Sequence, residues 1–346
     1  MKLVLIIGQV LFLFSLSLQA QTLTILNWEE FLSEDVIKDW EEQTGHKIKQ
    51  VYYDNDEDRD ALLIDYDGNE IDIVIADELA TQSFGRKGTF LAISELQTQN
   101  IQNVDPHWQK LCGNYSVPYL WGTLGIVYRK DKIAPPDSWQ IISDPQPKIR
   151  GHYGLMEDFI DLLAPALLTH NKSINTESES DLKEAFEGLK LSAKHALTFD
   201  YAITFLSSSE LADQLYLALA YSGDQYALNE KAGSEVWEYT TLNEGTATWL
   251  DCVSVMSSSP RKTVAFDFLN YLFDINTAAK NSEDVYSASP ISKAKALQSE
   301  EYQNDKTVYP PEHIMKNSQY YTAISSENTL LRNRITASLV KIHESK

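Results

Sequence analysis

Apolar and polar positions change period along the chain in a regular order. The run "TLTILNW" (22–28) is short, apolar and β-branched, and predicts a buried strand. "SEDVIKDWEEQTG" (33–45) follows it. Val36, Ile37 and Trp40 share one helical face there, with Ser33 placed to cap the start and Gly45 the end. "HKIKQVYY" predicts a second strand, "DEDRDALLIDYDG" a second helix ending at Gly68, and "EIDIVIADE" a third strand. This βαβαβ order implies an α/β fold with a mostly parallel sheet and helices on both faces. Such sheets take ligands beyond the carboxyl ends of their strands. Trp28 and Glu29 stand at the end of the first strand, and Asp77 and Glu78 at the end of the third. An acidic, aromatic crevice is expected where they meet.

A second α/β region follows "SVPYLWGTLGIVYRK" (116–130), which predicts a pair of buried strands. Pro-rich loops come next, "IAPPDSW" and "DPQPK". "DLKEAFEGLKLSAK" predicts an amphipathic helix, and "LADQLYLALAYSGD" a helix and then a strand ending at Tyr221-Ser222-Gly223-Asp224. "GTATWLDCVSVM" predicts a strand with Trp249 and Asp251 on one face. "KTVAFDFLNYLF" and "NTLLRNRITASLVKIHES" predict helices.

The 346 residues leave room for two domains, and 29 Lys+Arg against 50 Asp+Glu give a formal charge of −21. Such a field repels nucleic acid and anionic lipid and attracts cations. Most of these carboxylates read as solvated surface. The start, "MKLVLIIGQVLFLFSLSLQA", predicts a secretory signal peptide over 1–20, cut at Ala20–Gln21. A retained membrane anchor is the alternative, and the run is short for that and lacks a basic flank. The only cysteines are Cys112 and Cys252. An exported protein can pair them, but their distance in sequence does not show that they meet.

Nucleotide-binding and hydrolase motifs are missing, and no cofactor or metal is expected. "DNDEDRDALLID" (54–65) has Asp at calcium-loop positions 1, 3, 5 and 12, but has Arg59 where the loop needs Gly and lacks the final Glu. It fits an acidic helix start better. Asp158 and Asp161, three apart, share a face if helical. They suit glycoside hydrolysis, an ammonium site or a solvated helix start equally. The aromatic–acid pairs say more together: Trp28 with Glu29 and Glu30, Asp77 with Glu78, Tyr221 with Asp224, and Trp249 with Asp251. Any one pair also reads as a core aromatic beside a surface acid. Jointly they suit a flexible molecule in which CH₂ runs alternate with charged nitrogens.

"LTILNWEEFLSEDVIKDWEEQTGHKI", "IDIVIA", "YSVPYLWGTLGIVY", "WLDCVSVM", "AFDFLNYLF" and "NDKTVYPPE" resemble, in order, landmarks of the periplasmic polyamine-binding proteins of the PotD/PotF kind, which include the NspS-type norspermidine sensors. The resemblance implies a two-lobed, type II periplasmic solute-binding fold with the ligand in the cleft between lobes. Lobe 1 is expected over 22–127 plus 250–296, and lobe 2 over 128–249 plus 297–346. It implies a monomer that binds a spermidine-like polycation and presents it to the permease of an ABC importer, or signals to a membrane GGDEF/EAL enzyme. A secreted hydrolase using Asp158 and Asp161 is the remaining alternative.

Carried over residue by residue, the resemblance makes Trp28 a stacking platform, Asp251 the holder of an inner amine beside Trp249, and Asp158 with Asp161 the acidic pair of lobe 2. Tyr221 replaces a stacking Trp. Asp224 and Glu30 match acids of the putrescine-binding branch. Tyr286 matches a Tyr near the hinge, and a late polar residue falls at Gln319 or Tyr321. Glu29 and Asp77 stand where the family has neutral donors, so a more negative pocket is expected, one that favours a triamine over putrescine.

Overall fold

The structure, a computed structural model, describes residues 20–53, 56–65 and 70–345. The expected signal peptide lies outside these residues, but for Ala20, as do Gly68 and the first positions of the calcium-like loop.

The first strand β1 (Thr22–Asn27) is buried from its second residue on, since neighbours flank it on both edges. Helix α1 (Glu34–Thr44) begins as expected, with the Val36 amide donating to Ser33 Oγ at 3.3 Å. It ends at Gly45, whose φ of 75° lets its amide reach Glu41 O at 2.9 Å. Strand β2 (Lys47–Tyr52), helix α2 (Asp56–Asp65), strand β3 (Ile73–Asp77) and helix α3 (Glu78–Arg86) complete the opening unit. Both β2 and β3 run parallel to β1.

The expected strand pair at 116–130 is instead one 13-residue strand, β4 (Val117–Arg129), buried along all but its last residue. Its Gly and Thr positions carry no turn, because both halves find partners. Residues 117–123 pair antiparallel with β8 (Ala247–Val255), and residues 124–128 with β6 (Leu217–Tyr221). Strands β5 (Tyr153–Gly154), β7 (Trp237–Thr240) and β9 (Gln319–Tyr320) join β6, β4 and β8. The order is β2-β1-β3-β8-β4-β6-β5. The sheet is mixed, because β8 brings the chain back into the first lobe antiparallel to β3.

Packing divides along these crossovers. Trp121 and Leu250 belong to a core with Leu23, Trp40 and Phe268, whereas Leu124 and Ala247 belong to a core with Leu163, Leu217 and Leu339. Tyr302 and Val308 pack in the first core, Tyr320 packs against it, and Tyr321 against the second. Packing thus passes between the two cores near 123, 248 and 320. Cys112, closing helix α4 (Pro106–Cys112), and Cys252 on β8 form a disulfide with Cα atoms 6.0 Å apart, fastening a crossover strand to the first lobe.

Candidate functional site

A cleft of about 3330 Å³ opens between the lobes, lined by all twelve residues expected at the site. It is several times larger than the roughly 300–1,000 Å³ of a pocket fitted to a small ligand. Among the described residues its lining carries eighteen carboxylates and two guanidinium groups, Arg59 and Arg86.

On the first lobe, Trp28 follows β1 half-buried, its ring 4.3 Å from that of Tyr53. Glu29 and Glu30 are exposed, and Glu30 holds a left-handed φ of 57°. Phe31 lies 5.9 Å from both the Tyr119 and Trp249 rings. The Tyr119 hydroxyl donates to Phe31 O at 2.8 Å and fixes the turn. Asp77 ends β3 with both carboxylate oxygens engaged. Oδ1 caps α3, accepting from the Leu79 and Ala80 amides at 2.9 and 2.8 Å, and Oδ2 lies 2.6 Å from Arg59 Nη1. Glu78 is only 3% exposed, and its nearest charges are Asp77 and Asp251. Burial, and then repulsion from Asp77, push its carboxyl well above the ordinary range. Asp251, opposite Asp77 in the β3–β8 register, is buried too.

On the second lobe, Asp158 and Asp161 do not share a helical face, as helix Ala164–Thr169 starts only after them. Asp158 Oδ1 instead accepts from the amides of Ile160 and Asp161 at 2.7 and 2.6 Å, closing a tight turn. Asp161 accepts from the Tyr221 hydroxyl at 2.7 Å and also from the Tyr321 hydroxyl. Burial and the neighbouring Asp158 raise its carboxyl to about 7, against the pull of the two hydroxyls. Burial also raises Asp158, opposed by the two amides and by Arg332, which is fully buried. Asp224 accepts from the Tyr221 amide at 2.7 Å and from Tyr201, and burial raises it to about 6.

Tyr286, 46% exposed with φ 53°, stacks on Tyr226 at 4.3 Å. Of the three described non-glycine residues with positive φ, two, Glu30 and Tyr286, line the cleft, where backbone strain tends to collect. Tyr321 reaches the site. Gln319 is held away by Ser173 Oγ and the Ile174 amide, at 3.0 and 3.1 Å. Sequence reasoning placed Glu78 in the acidic crevice beside Asp77 without giving it a ligand role of its own, and did not select Tyr201 or Arg59. Glu78 stands beside the chosen Asp77 in "IADE", whereas Tyr201 and Arg59 carry no local signal.

A family model described as bacterial extracellular solute-binding protein matches residues 35–310. The chain belongs to the bacterial extracellular solute-binding proteins. A relative of this solute-binding protein, the norspermidine sensor of Vibrio cholerae serotype O1, is 33% identical over 328 residues, covering 94% of this chain and 91% of that one. The spermidine/putrescine-binding periplasmic protein of Escherichia coli strain K12 is 23% identical, covering 89% of each. The structure of the spermidine/putrescine transporter substrate-binding protein PotD from Streptococcus pneumoniae superposes with a TM-score of 0.82 at 21% identity. It covers 94% of this chain and all of that one, and shows the shared two-lobed fold.

Proposed function

We propose that the protein binds a linear polyamine in the cleft and closes its lobes over it. The observation that carries this reading is the charge of the lining, eighteen carboxylates to two guanidinium groups, set among the aromatic faces of Trp28, Tyr221 and Trp249. One of the two cations, Arg59, is already paired with Asp77. Methylenes buried against the rings contribute about 0.8 kcal/mol each. Charge-assisted hydrogen bonds contribute about 1.5–3 kcal/mol each. Desolvation, closure and lost ligand freedom offset much of the sum, but a micromolar constant needs only about −8 kcal/mol. In the empty protein the acids of the two lobes repel and resist closure. A polycation relieves that repulsion, so it favours the closed form. Relatives named for norspermidine, spermidine and putrescine support the same chemistry.

Calorimetry against spermidine, norspermidine, spermine and putrescine tests the reading, with Asp251→Asn as the weakened control. No heat from any of the four would sink it.

The relatives' periplasmic names and the apolar N-terminal run support export to the periplasm, with cleavage after Ala20. Among the described residues no helix is long and apolar enough to cross a membrane. Two downstream roles fit: delivery to an ABC importer, and signalling to a membrane cyclic-di-GMP enzyme. The 33% identity to a norspermidine sensor, against 23% to the Escherichia coli binding protein, favours signalling. Neighbouring genes discriminate, since permease and ATPase genes point to transport and a membrane GGDEF/EAL gene to sensing.

A further inference from the structure

We infer that Glu78, rather than its neighbour Asp77, is the charge with which the end of β3 holds a ligand nitrogen, and that it separates cations with three charged nitrogens from those with two. This rests on the functional reading above and names a specificity residue within it.

Both residues line the cleft, but they are in opposite electrostatic situations. Asp77 is a saturated group, with two amides on one oxygen and a buried guanidinium on the other. A ligand ammonium would have to compete with Arg59 for it. Glu78 is the more buried of the two and has no ion pair among the described residues. Its carboxylate takes backbone N–H bonds from its own residue and from Leu250. The charged groups facing it, Asp77 and Asp251, are both acids. A buried carboxylate is normally found paired, because desolvation without compensation is costly. Fully buried Asp72 is paired in this way: it meets Arg261 at 2.8 Å, the Thr24 amide at 2.8 Å and Ser259 Oγ. Among the described residues Glu78 has no such cation, and neither does buried Asp161; both stand at the cleft wall.

Its place in the row of acids says what would compensate it. Asp224 sits on the Tyr221 amide, and Asp161 sits on the Tyr221 hydroxyl. Tyr321 donates to Asp161 from the other side and also feels the charge of Glu78. Glu78 in turn faces Asp251. Tyr221 thus joins Asp224 to Asp161, beside Asp158, on the second lobe, and Glu78, beside Asp251, adds a third acidic position on the first lobe that lines the same cleft. A diamine can pair with two of these positions and leaves Glu78 without a cation. A triamine satisfies all three.

Calorimetric titration of wild type and Glu78→Gln with spermidine, norspermidine and putrescine at pH 8 decides the matter. The expected result is a loss of about ten- to a hundredfold for the two triamines and under about threefold for putrescine. The empty variant should melt no lower than wild type, because the amide removes a repelled buried charge. Unchanged triamine binding, or an equal loss for all three amines, overturns the role of Glu78 while wild-type binding keeps the functional reading standing. Absence of binding to wild type overturns that reading and this inference together.

Discussion

The indole of Trp249 lies directly against Gly122. The two are partners in the β4–β8 register, at the point where both strands leave one core for the other. A Cβ on Gly122 would stand 2.3 Å from Trp249 Cζ2 and 2.4 Å from Ser222 Oγ. The missing side chain lets an aromatic wall of the cleft rest on the backbone that links the lobes.

Gly122→Ala should therefore move the ring or the strand. We expect a loss of about 1–3 kcal/mol in stability from overpacking, together with weaker ligand binding. Urea unfolding and calorimetry on the same variant check this. Wild-type values for both would mean that the indole shifts freely.

The raised acids make the empty protein sensitive to pH. Asp161 rises from an ordinary 3.8 to about 7, and Asp224 to about 6. Between the unfolded and folded values the folded state holds a proton that the unfolded chain has lost, so stability falls as pH rises through that window. The slope approaches about 1.4 kcal/mol per pH unit for each fully linked proton. The empty protein should melt higher at pH 5 than at pH 8, and Asp161→Asn should flatten the difference. A bound cation favours the ionised carboxylates, so ligand binding near pH 6.5 should release protons. Binding heats in two buffers of different ionisation enthalpy measure that release, and the same observed heat in both buffers would argue against it.

The disulfide closes a loop with a sequence separation of 140. A cross-link of that length restricts the unfolded chain by about 5 kcal/mol in the chain-entropy description. Cys112→Ser, or reduction in denaturant, should lower the urea midpoint markedly. An unmoved midpoint would show that the packing of α4 on β8 holds the two together unaided.

Glu29 is exposed, in contrast to Glu78. An exposed charge is screened by water and salt and contributes roughly 0–1 kcal/mol. Glu29→Thr should change polyamine affinity by no more than about fivefold, with the difference vanishing at high salt. A larger, salt-insensitive loss would mean that closure buries Glu29 against the ligand.

Much of the local structure is legible in the chain itself. Ser33 and Gly45 cap α1 as their spacing indicates, since a cap acts within one helical turn. Trp249 and Asp251 keep the strand alternation that puts them on one face. The twelve candidate residues all line the cleft; those after β1, β3 and β6 do so because strand ends in an α/β fold face it, whereas Tyr286 and Tyr321 were reached only through the family resemblance. Reading β4 as two strands failed because nothing within its thirteen residues records that its halves pair in different lobes.

The sequence by itself determined the periodicity, the caps, the acidic balance and the family landmarks, all of which are local or additive properties. Only the tertiary structure decided which acids remain available to a ligand. It sets Arg59 on Asp77 across 18 residues, Tyr321 on Asp161 across 160, and Cys112 on Cys252 across 140. It also buries Glu78 between acids, without an ion pair among the described residues. The charge of a carboxylate is written in the sequence. Whether that charge is already neutralised depends on long-range packing, and local patterns do not encode it.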